Sequence, residues 1–333
     1  MIRSRKLYVA SVLGGVLVAV LIVPIAALAQ IATPSVATPT ADQDTWTSVS
    51  YAHLFEVDVD NGGGFPNGVD VEREALLAIV GHRFKLSEDW SLITQGAYQL
   101  TSYNFTGDGK GNLPNRPPPA TSQALWDEIH QLTLTALFNY RVNDKWSLFA
   151  LGMYRFSAES GADFGDAMTG GGAGGFQYNW SENLRTGLLV GALSQIKDSA
   201  AIVPLPLVTW KMSDSWQFDL GVQTLGAVGY GPEFTWTPNE EWELGLGASY
   251  QRRRYRIDGN ANSSSNDDGI GDETSMPIFA RVGWKPSPTI TLDLMGGVAV
   301  AGEIRQETDS GSKVFNRDVD PAPILGFEAK FLF

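Results

Sequence analysis

The stretch Ile324–Phe333, ILGFEAKFLF, alternates so strictly that it reads as a single extended strand. Successive side chains of a strand point to opposite faces. Leu325, Phe327, Ala329, Phe331 and Phe333 therefore share one side, and Gly326, Glu328, Lys330 and Leu332 the other. One face is aromatic and apolar, the other charged or small. A soluble domain has little use for Phe-Leu-Phe on a strand; a strand that closes a barrel in lipid has a clear one.

The rest of the chain repeats one phrase: an alternating strand, a polar turn, a tryptophan or its substitute, and another alternating strand. The turns are Ser87–Asp89 before Trp90, Asn143–Lys145 before Trp146, Ser181–Asn183 before Leu184 and Ser213–Ser215 before Trp216. Pro238–Glu241 before Trp242 and Pro286–Pro288 before Thr289 complete the set. Ser, Asn, Asp and Pro favour such turns through local hydrogen bonds and fixed φ, and flanking alternation makes each a hairpin. Residues 58–72, 105–125, 158–172, 257–274 and 303–321 read instead as long loops rich in Gly, Asp, Asn and Pro, although 196–201 and the link near Leu225–Ala227 are short. Short turns at one edge and long loops at the other are the asymmetry of membrane barrels. The pattern predicts an all-β, transmembrane, antiparallel up-and-down β-barrel of fourteen strands, from 46–57 to 323–333, with twelve as the alternative.

Composition narrows the class. Hydrophobic residues make up 43% and charged residues 18%, yet beyond the N-terminus no apolar run is long enough for a membrane helix, so any span must use strands. With no cysteine, disulfides and thiolate metal sites are excluded. A net charge of −13 argues against nucleic acid as partner, because nucleic-acid binding needs a basic footprint.

Arg3, Arg5 and Lys6 precede an apolar stretch to about Ala29, and Ala27-Leu28-Ala29 has the form of a cleavage site. Residues 1–29 are expected to be an export signal, with an uncleaved anchor as the alternative that Pro24 disfavours. Residues 30–44, small, polar and proline-containing, read as a disordered lead-in, and 45–333 as the barrel.

Eight of the ten tryptophans, Trp90, Trp146, Trp180, Trp210, Trp216, Trp236, Trp242 and Trp284, lie within a few residues of a short turn. Amphipathic indoles favour the headgroup level of a membrane, so these form an expected aromatic girdle. Parity then places Arg155, Arg185, Asp219, Glu233, Glu243, Arg281, Asp293, Glu328 and Lys330 on the lumen face. Mixed charges suit a hydrated or salt-bridged interior, since lone charges in a dry core are costly.

With its signal-like start, its turn–Trp phrase and its terminal FEAKFLF, the chain resembles bacterial outer-membrane β-barrel proteins. More closely, "MPIFARVGWKPSPTITLDLMGGVAVAGEIR" through "DPAPILGFEAKF" resembles an uncharacterised domain-of-unknown-function family of outer-membrane barrels. The resemblance covers about residues 45–333. It implies fold and outer-membrane location, and brings no reaction or substrate. It also implies that Phe327, Phe331 and Phe333, with Leu325, form the signal read by the barrel-assembly machinery.

Chemistry is weakly marked. His53, His82 and His130 stand in no catalytic motif, so no enzyme activity and no cofactor are expected. The stretch Asn260–Glu273 concentrates Asp267, Asp268, Asp272 and Glu273 without the spacing of an EF-hand, and reads as a solvated acidic loop. The Gly-Gly runs at 62–64 and 170–175 read as loops or crowded strand positions. Arg252, Arg254 and Arg256 share the parity of Trp242 and Leu244, and are expected to face outward toward lipid phosphates, including lipopolysaccharide. The leading expected function is a passive channel for small solutes. The alternatives are a structural or surface-interaction barrel without a pore, and a lipid-modifying enzyme.

Overall fold

The computed structural model describes residues 44–60, 69–107, 125–223, 229–258 and 269–333. The expected signal peptide and lead-in, and the glycine run at 62–64, lie outside these residues. The strand segments are β1 (Thr45–Val59), β2 (Val69–Lys85), β3 (Trp90–Gly107), β4 (Glu128–Arg141), β5 (Trp146–Glu159), β6 (Met168–Asn179), β7 (Leu184–Gln195) and β8 (Asp198–Lys211). They continue as β9 (Trp216–Gln223), β10 (Gly229–Trp236), β11 (Trp242–Ala248), β12 (Gln251–Ile257), β13 (Gly269–Ser287), β14 (Ile290–Thr308), β15 (Lys313–Val319) and β16 (Ala322–Leu332). β12 continues β11 along β13, and β16 continues β15 along β14 and β1, so the sixteen segments form fourteen barrel strands. The expected count of fourteen, rather than twelve, is what the fold contains.

The sheet closes on itself. β16 pairs with β14 on one side and with β1 on the other, from Trp46↔Leu332 to Leu54↔Ile324. Closure removes both edges, so the backbone groups of β1 and β16 find partners without water.

The turn phrase has a simple cause. The side-chain oxygen at its first position accepts N–H bonds from the residues two and three further on. Asn143 Oδ1 accepts from Lys145 and Trp146 at 2.9 Å, and Asn239 Oδ1 from Glu241 and Trp242 at 3.0 Å. Ser87, Ser181 and Ser213 do the same with Oγ. The residue after the turn is thereby delivered to the first rung of the next strand.

The two faces segregate as the alternation requires. Leu76, Val80, Leu134, Phe138, Leu246, Leu294, Leu325 and Phe327 point outward and are exposed. All eight turn-proximal tryptophans are exposed at the short-turn end. Trp216 stacks on Trp236 at 6.0 Å and Trp242 on Trp284 at 6.1 Å, across paired strands. The glycine run at 170–175 is a crowded strand: a Cβ on Gly175 would lie 2.4 Å from the ring of Phe149, which fills the lumen side there.

Several expected long loops are shorter than the sequence implied. β14 and β15 occupy most of 303–321 and leave only a turn at 309–312. β12 and β13 extend into 257–274, so Asp272 and Glu273 belong to a strand and face Arg254 and Arg253 across it. Charged and glycine-rich stretches look like loops when read for apolar alternation. Here cross-strand ion pairs replace apolar contacts as the source of pairing.

Asn239→Ala removes the acceptor of two turn N–H groups. It is expected to cost about 0.5–1.5 kcal/mol, read from urea unfolding of the folded barrel.

Candidate functional site

The lumen has two unlike halves. Toward the short-turn end, six of the nine parity-derived residues join one network. Arg281 donates to Glu233 and Asp293 at 2.7 Å and lies 3.5 Å from Glu243. Lys330 lies 3.1 Å from Glu328 and 3.6 Å from Asp293. Lys285, which the parity reading passed over although it shares the face of Arg281, completes the network through Glu243. Asp219 accepts from Gln217 at 2.6 Å, and Arg185 donates to Asn179 at 2.9 Å near the mouth. Arg155 stands deeper, with Met153 Sδ at 3.9 Å.

Asp219, Glu233, Glu243, Arg281, Lys285, Asp293 and Lys330 border a cavity of about 630 Å³ that reaches the short-turn mouth between Ser147, Gln217, Thr235 and Lys285. Its other wall is apolar: Phe149, Leu151, Leu189 and Leu207. Four carboxylates (Asp219, Glu233, Glu243 and Asp293) and three cations (Arg281, Lys285 and Lys330) line it. The basin therefore carries excess negative charge.

Toward the long-loop end the interior is filled. Val59, Val71, Tyr103, Phe105, Trp126, Ile129, Tyr255, Ile257, Ile304 and Phe315 pack into one apolar cluster. Trp126 is fully buried, edge-on to Phe105 at 5.2 Å and to Tyr255 at 5.7 Å. The cluster exists because β12 leaves the wall. Its residue Arg256 pairs in parallel with Ala158 of β5, across the barrel from its neighbours. At this end, β12 to β15 and β1 to β5 close a smaller ring around a dry core, and β6 to β10 stand outside it. Glu159 of β5 ties the ring, accepting from the backbone N–H of Asp127 and of Asp258 at 2.8 Å each. Glu273 is held within it by Arg73, Tyr103 and Arg253.

The same bend corrects the arginine expectation. Arg252, Arg254 and Arg256 do share one parity, but the turns of neighbouring strands cover that face. Arg254 donates to Asp272 at 2.9 Å, to Glu307, and to the carbonyl of Ile196 in the β7–β8 turn at 3.0 Å. Arg252 forks onto Asp272, and Arg256 reaches Asp309 at 2.8 Å. Arg254 and Arg256 are buried and engaged by carboxylates, not presented to lipid. Lys197 of the β7–β8 turn joins the latch through Asp166 at 2.8 Å and Asp309 at 3.6 Å. The hydrogen bond from Lys197 holds the Asp166 carboxyl below the ordinary aspartate range. A depressed folded pKa means this contact contributes above the ordinary aspartate value and is lost only as pH falls through the lower one.

The histidines sit on the outer surface. His53 lies 3.3 Å from Glu72 and 3.4 Å from Glu74, and His82 shares a hydrogen with Thr45 at 2.7 Å. His130 lies between Tyr98 Oη (2.7 Å, at Nδ1) and Ser160 Oγ (2.9 Å, at Nε2). Sequence spacing gave no sign of Ser160, because thirty positions separate it from His130 and only the β4–β5 register brings them level. Among the described residues no group of three or more histidines and carboxylates is arranged to hold a metal ion.

A closed antiparallel barrel with an apolar outer belt, an aromatic ring and a polar basin belongs to the transmembrane barrel class. A family model described as "Domain of unknown function (DUF6268)" matches residues 117–331, and the chain belongs to that family. No curated protein matches the chain. Among solved structures, it is similar to the COG4313 outer membrane channel from Pseudomonas putida F1, at 12% identity over 90% of this chain and 100% of that one, with a TM-score of 0.49. It is also similar to the P. putida toluene transporter TodX, at 8% identity over 88% of this chain and 90% of that one, TM-score 0.42. The KdgM porin in complex with disordered oligogalacturonate matches at 10% identity over 86% of this chain and 99% of that one, TM-score 0.33. At these scores the likeness carries no information on solute or mechanism.

Arg254→Ala leaves Asp272 and Glu307 buried without their shared cation. Asp272 keeps Arg252 and Glu307 keeps Arg305, so the expected loss is about 1.5–3 kcal/mol in urea unfolding, accompanied by faster proteolysis at the long-loop end.

Proposed function

We propose that the chain is a bacterial outer-membrane channel that passes small solutes, and that the structure is its closed state. The observation that carries the reading is the charged basin of about 630 Å³ inside the barrel, open at the short-turn mouth and capped by the Trp126–Tyr255 core. A structural barrel needs neither the basin nor an interior rich in ionised groups. The apolar outer belt and the tryptophan ring support residence in a membrane, with the short turns facing the periplasm. Export by the N-terminal segment belongs to the same reading. So does recognition of Phe327, Phe331 and Phe333 by the barrel-assembly machinery: Phe327→Asp with Phe331→Asp is expected to block insertion, seen as loss of the heat-modifiable band.

The channel reading is tested in planar bilayers. Wild-type protein is expected to be closed or nearly so, and Trp126→Ala with Tyr255→Ala to give unitary steps. Those steps should favour cations, and Asp219→Asn should weaken the preference, because it removes a carboxylate bordering the basin. Silence from the folded double variant would sink the channel reading.

One observation favours a second reading, a lipid-modifying enzyme. Ser160, His130 and Tyr98 line up on the outer face with hydrogen-bond spacings of a nucleophile, a base and an orienting group. A neutral phenol stabilises an imidazolium less than the carboxylate of a triad does. Labelling by a fluorophosphonate that disappears in Ser160→Ala would support this reading, and an unlabelled wild-type protein would end it.

A further inference from the structure

One buried arginine stands without a counter-charge. Arg155 shares the buried face of β5 with Leu151 and Met153, and is 8% exposed. The other arginines buried in the fold, Arg73, Arg254 and Arg256, each meet a carboxylate. Among the described residues Arg155 meets none. Its side chain has one polar contact, the weak acceptor Met153 Sδ at 3.9 Å, and its Nε–H has no partner. A guanidinium keeps its charge at every physiological pH, and a buried charge without a partner is costly. An apolar side chain of similar volume is the more stable choice at such a position.

Two more unpartnered side chains stand beside it. Register sets Gln95 of β3 opposite Thr135 of β4, and Thr135 opposite Met153 of β5. Facing Cβ atoms in such a row are about 4.5–5.5 Å apart. The Arg155 side chain reaches Met153, so its guanidinium leans toward this row. Gln95 and Thr135 are buried too, and neither amide atom of Gln95 has a partner, nor has Thr135 Oγ1. Buried polar groups are almost always bonded, which makes this concentration on three adjacent strands unusual. Arg155 Nε, Gln95 Nε2 and Thr135 Oγ1 can all donate. Donors gathered about a fixed cation suit an oxyanion, which accepts short, charge-assisted bonds from them.

The surroundings select what that oxyanion is attached to. Leu151, two positions from Met153 toward the short turns, lines the basin. So does Leu189, which belongs to one apolar cluster with Met153. From the basin to Arg155 the buried face of β5 is therefore apolar, with only the unbranched, adaptable Met153 between. The carboxylates that line the basin stand on β9, β10, β11 and β14, none of them on β5 or its neighbours. We propose that Arg155, with Gln95 and Thr135, binds the carboxylate of a small apolar acid whose body lies against Leu151 and Leu189. The site goes beyond the channel reading, because it defines a ligand independently of ion flow.

Benzoate is the probe. Benzyl alcohol is its neutral counterpart, and inorganic phosphate is an oxyanion without an apolar body. Binding to the folded barrel in nonionic detergent, near neutral pH, is read by isothermal titration calorimetry. Benzoate is expected to bind the wild type at least about tenfold tighter than benzyl alcohol or phosphate, the difference a charge-assisted fork supplies. Arg155→Gln is expected to weaken benzoate about tenfold or more and to leave benzyl alcohol unchanged. Thr135→Val keeps the arginine and is expected to weaken benzoate about threefold, so it tests the site even if Arg155→Gln fails to fold. Arg141→Gln removes an exposed arginine that pairs with Asp89 at a short turn; it controls for net charge and is expected to bind as the wild type does. Benzoate binding that is absent, no tighter than that of benzyl alcohol, or equal in wild type and Arg155→Gln would overturn the site. Phosphate binding tighter than benzoate would overturn the ligand class. Titration needs no conduction, so a silent bilayer recording and a failed titration are separate results.

Discussion

Backbone hydrogen bonding around a closed ring is the constraint on which everything else here depends. Once β1 and β16 pair, no strand end of the sheet is left for water to solvate, and the outer face is free to be apolar. The short turns follow from the same requirement, because each must hand the chain to its next neighbour without wasting donors. The Ser or Asn at the head of each turn takes up the N–H groups that the ladder cannot use.

Inside the ring, charge and apolar packing divide the space by depth. The network around Arg281 keeps its carboxylates close to cations, which offsets the desolvation of the buried Asp293 and Glu328. The core around Trp126 and Tyr255 is filled by aromatic and aliphatic side chains. Between them stands the apolar side of the basin.

Much of this was legible in advance. Strand count and turn positions follow from period-two alternation and turn chemistry, which are local properties, and Glu233, Glu243, Arg281, Asp293, Glu328 and Lys330, which alternation puts on one face, meet in one network. Lys285 could have been found by the same rule. The arginines could not. Arg252, Arg254 and Arg256 carry the parity of the outer face, and parity alone cannot tell that β12 bends across the barrel. Nor could it tell that the β7–β8 turn would lie over them. Trp126 likewise sits in a stretch without periodicity, and its burial comes from strands far away in sequence.

The sequence by itself determined a closed antiparallel barrel, its two faces and its turn end, because alternation and turn chemistry act between neighbouring residues. Only the tertiary structure decided that the barrel is capped at one end and that its acidic stretch near Asp272 is a paired strand. Those features depend on which strand ends meet across the ring. That is a matter of long-range packing around Tyr255 and Trp126 and of carboxylates finding Arg254 and Arg256, and no local pattern records it.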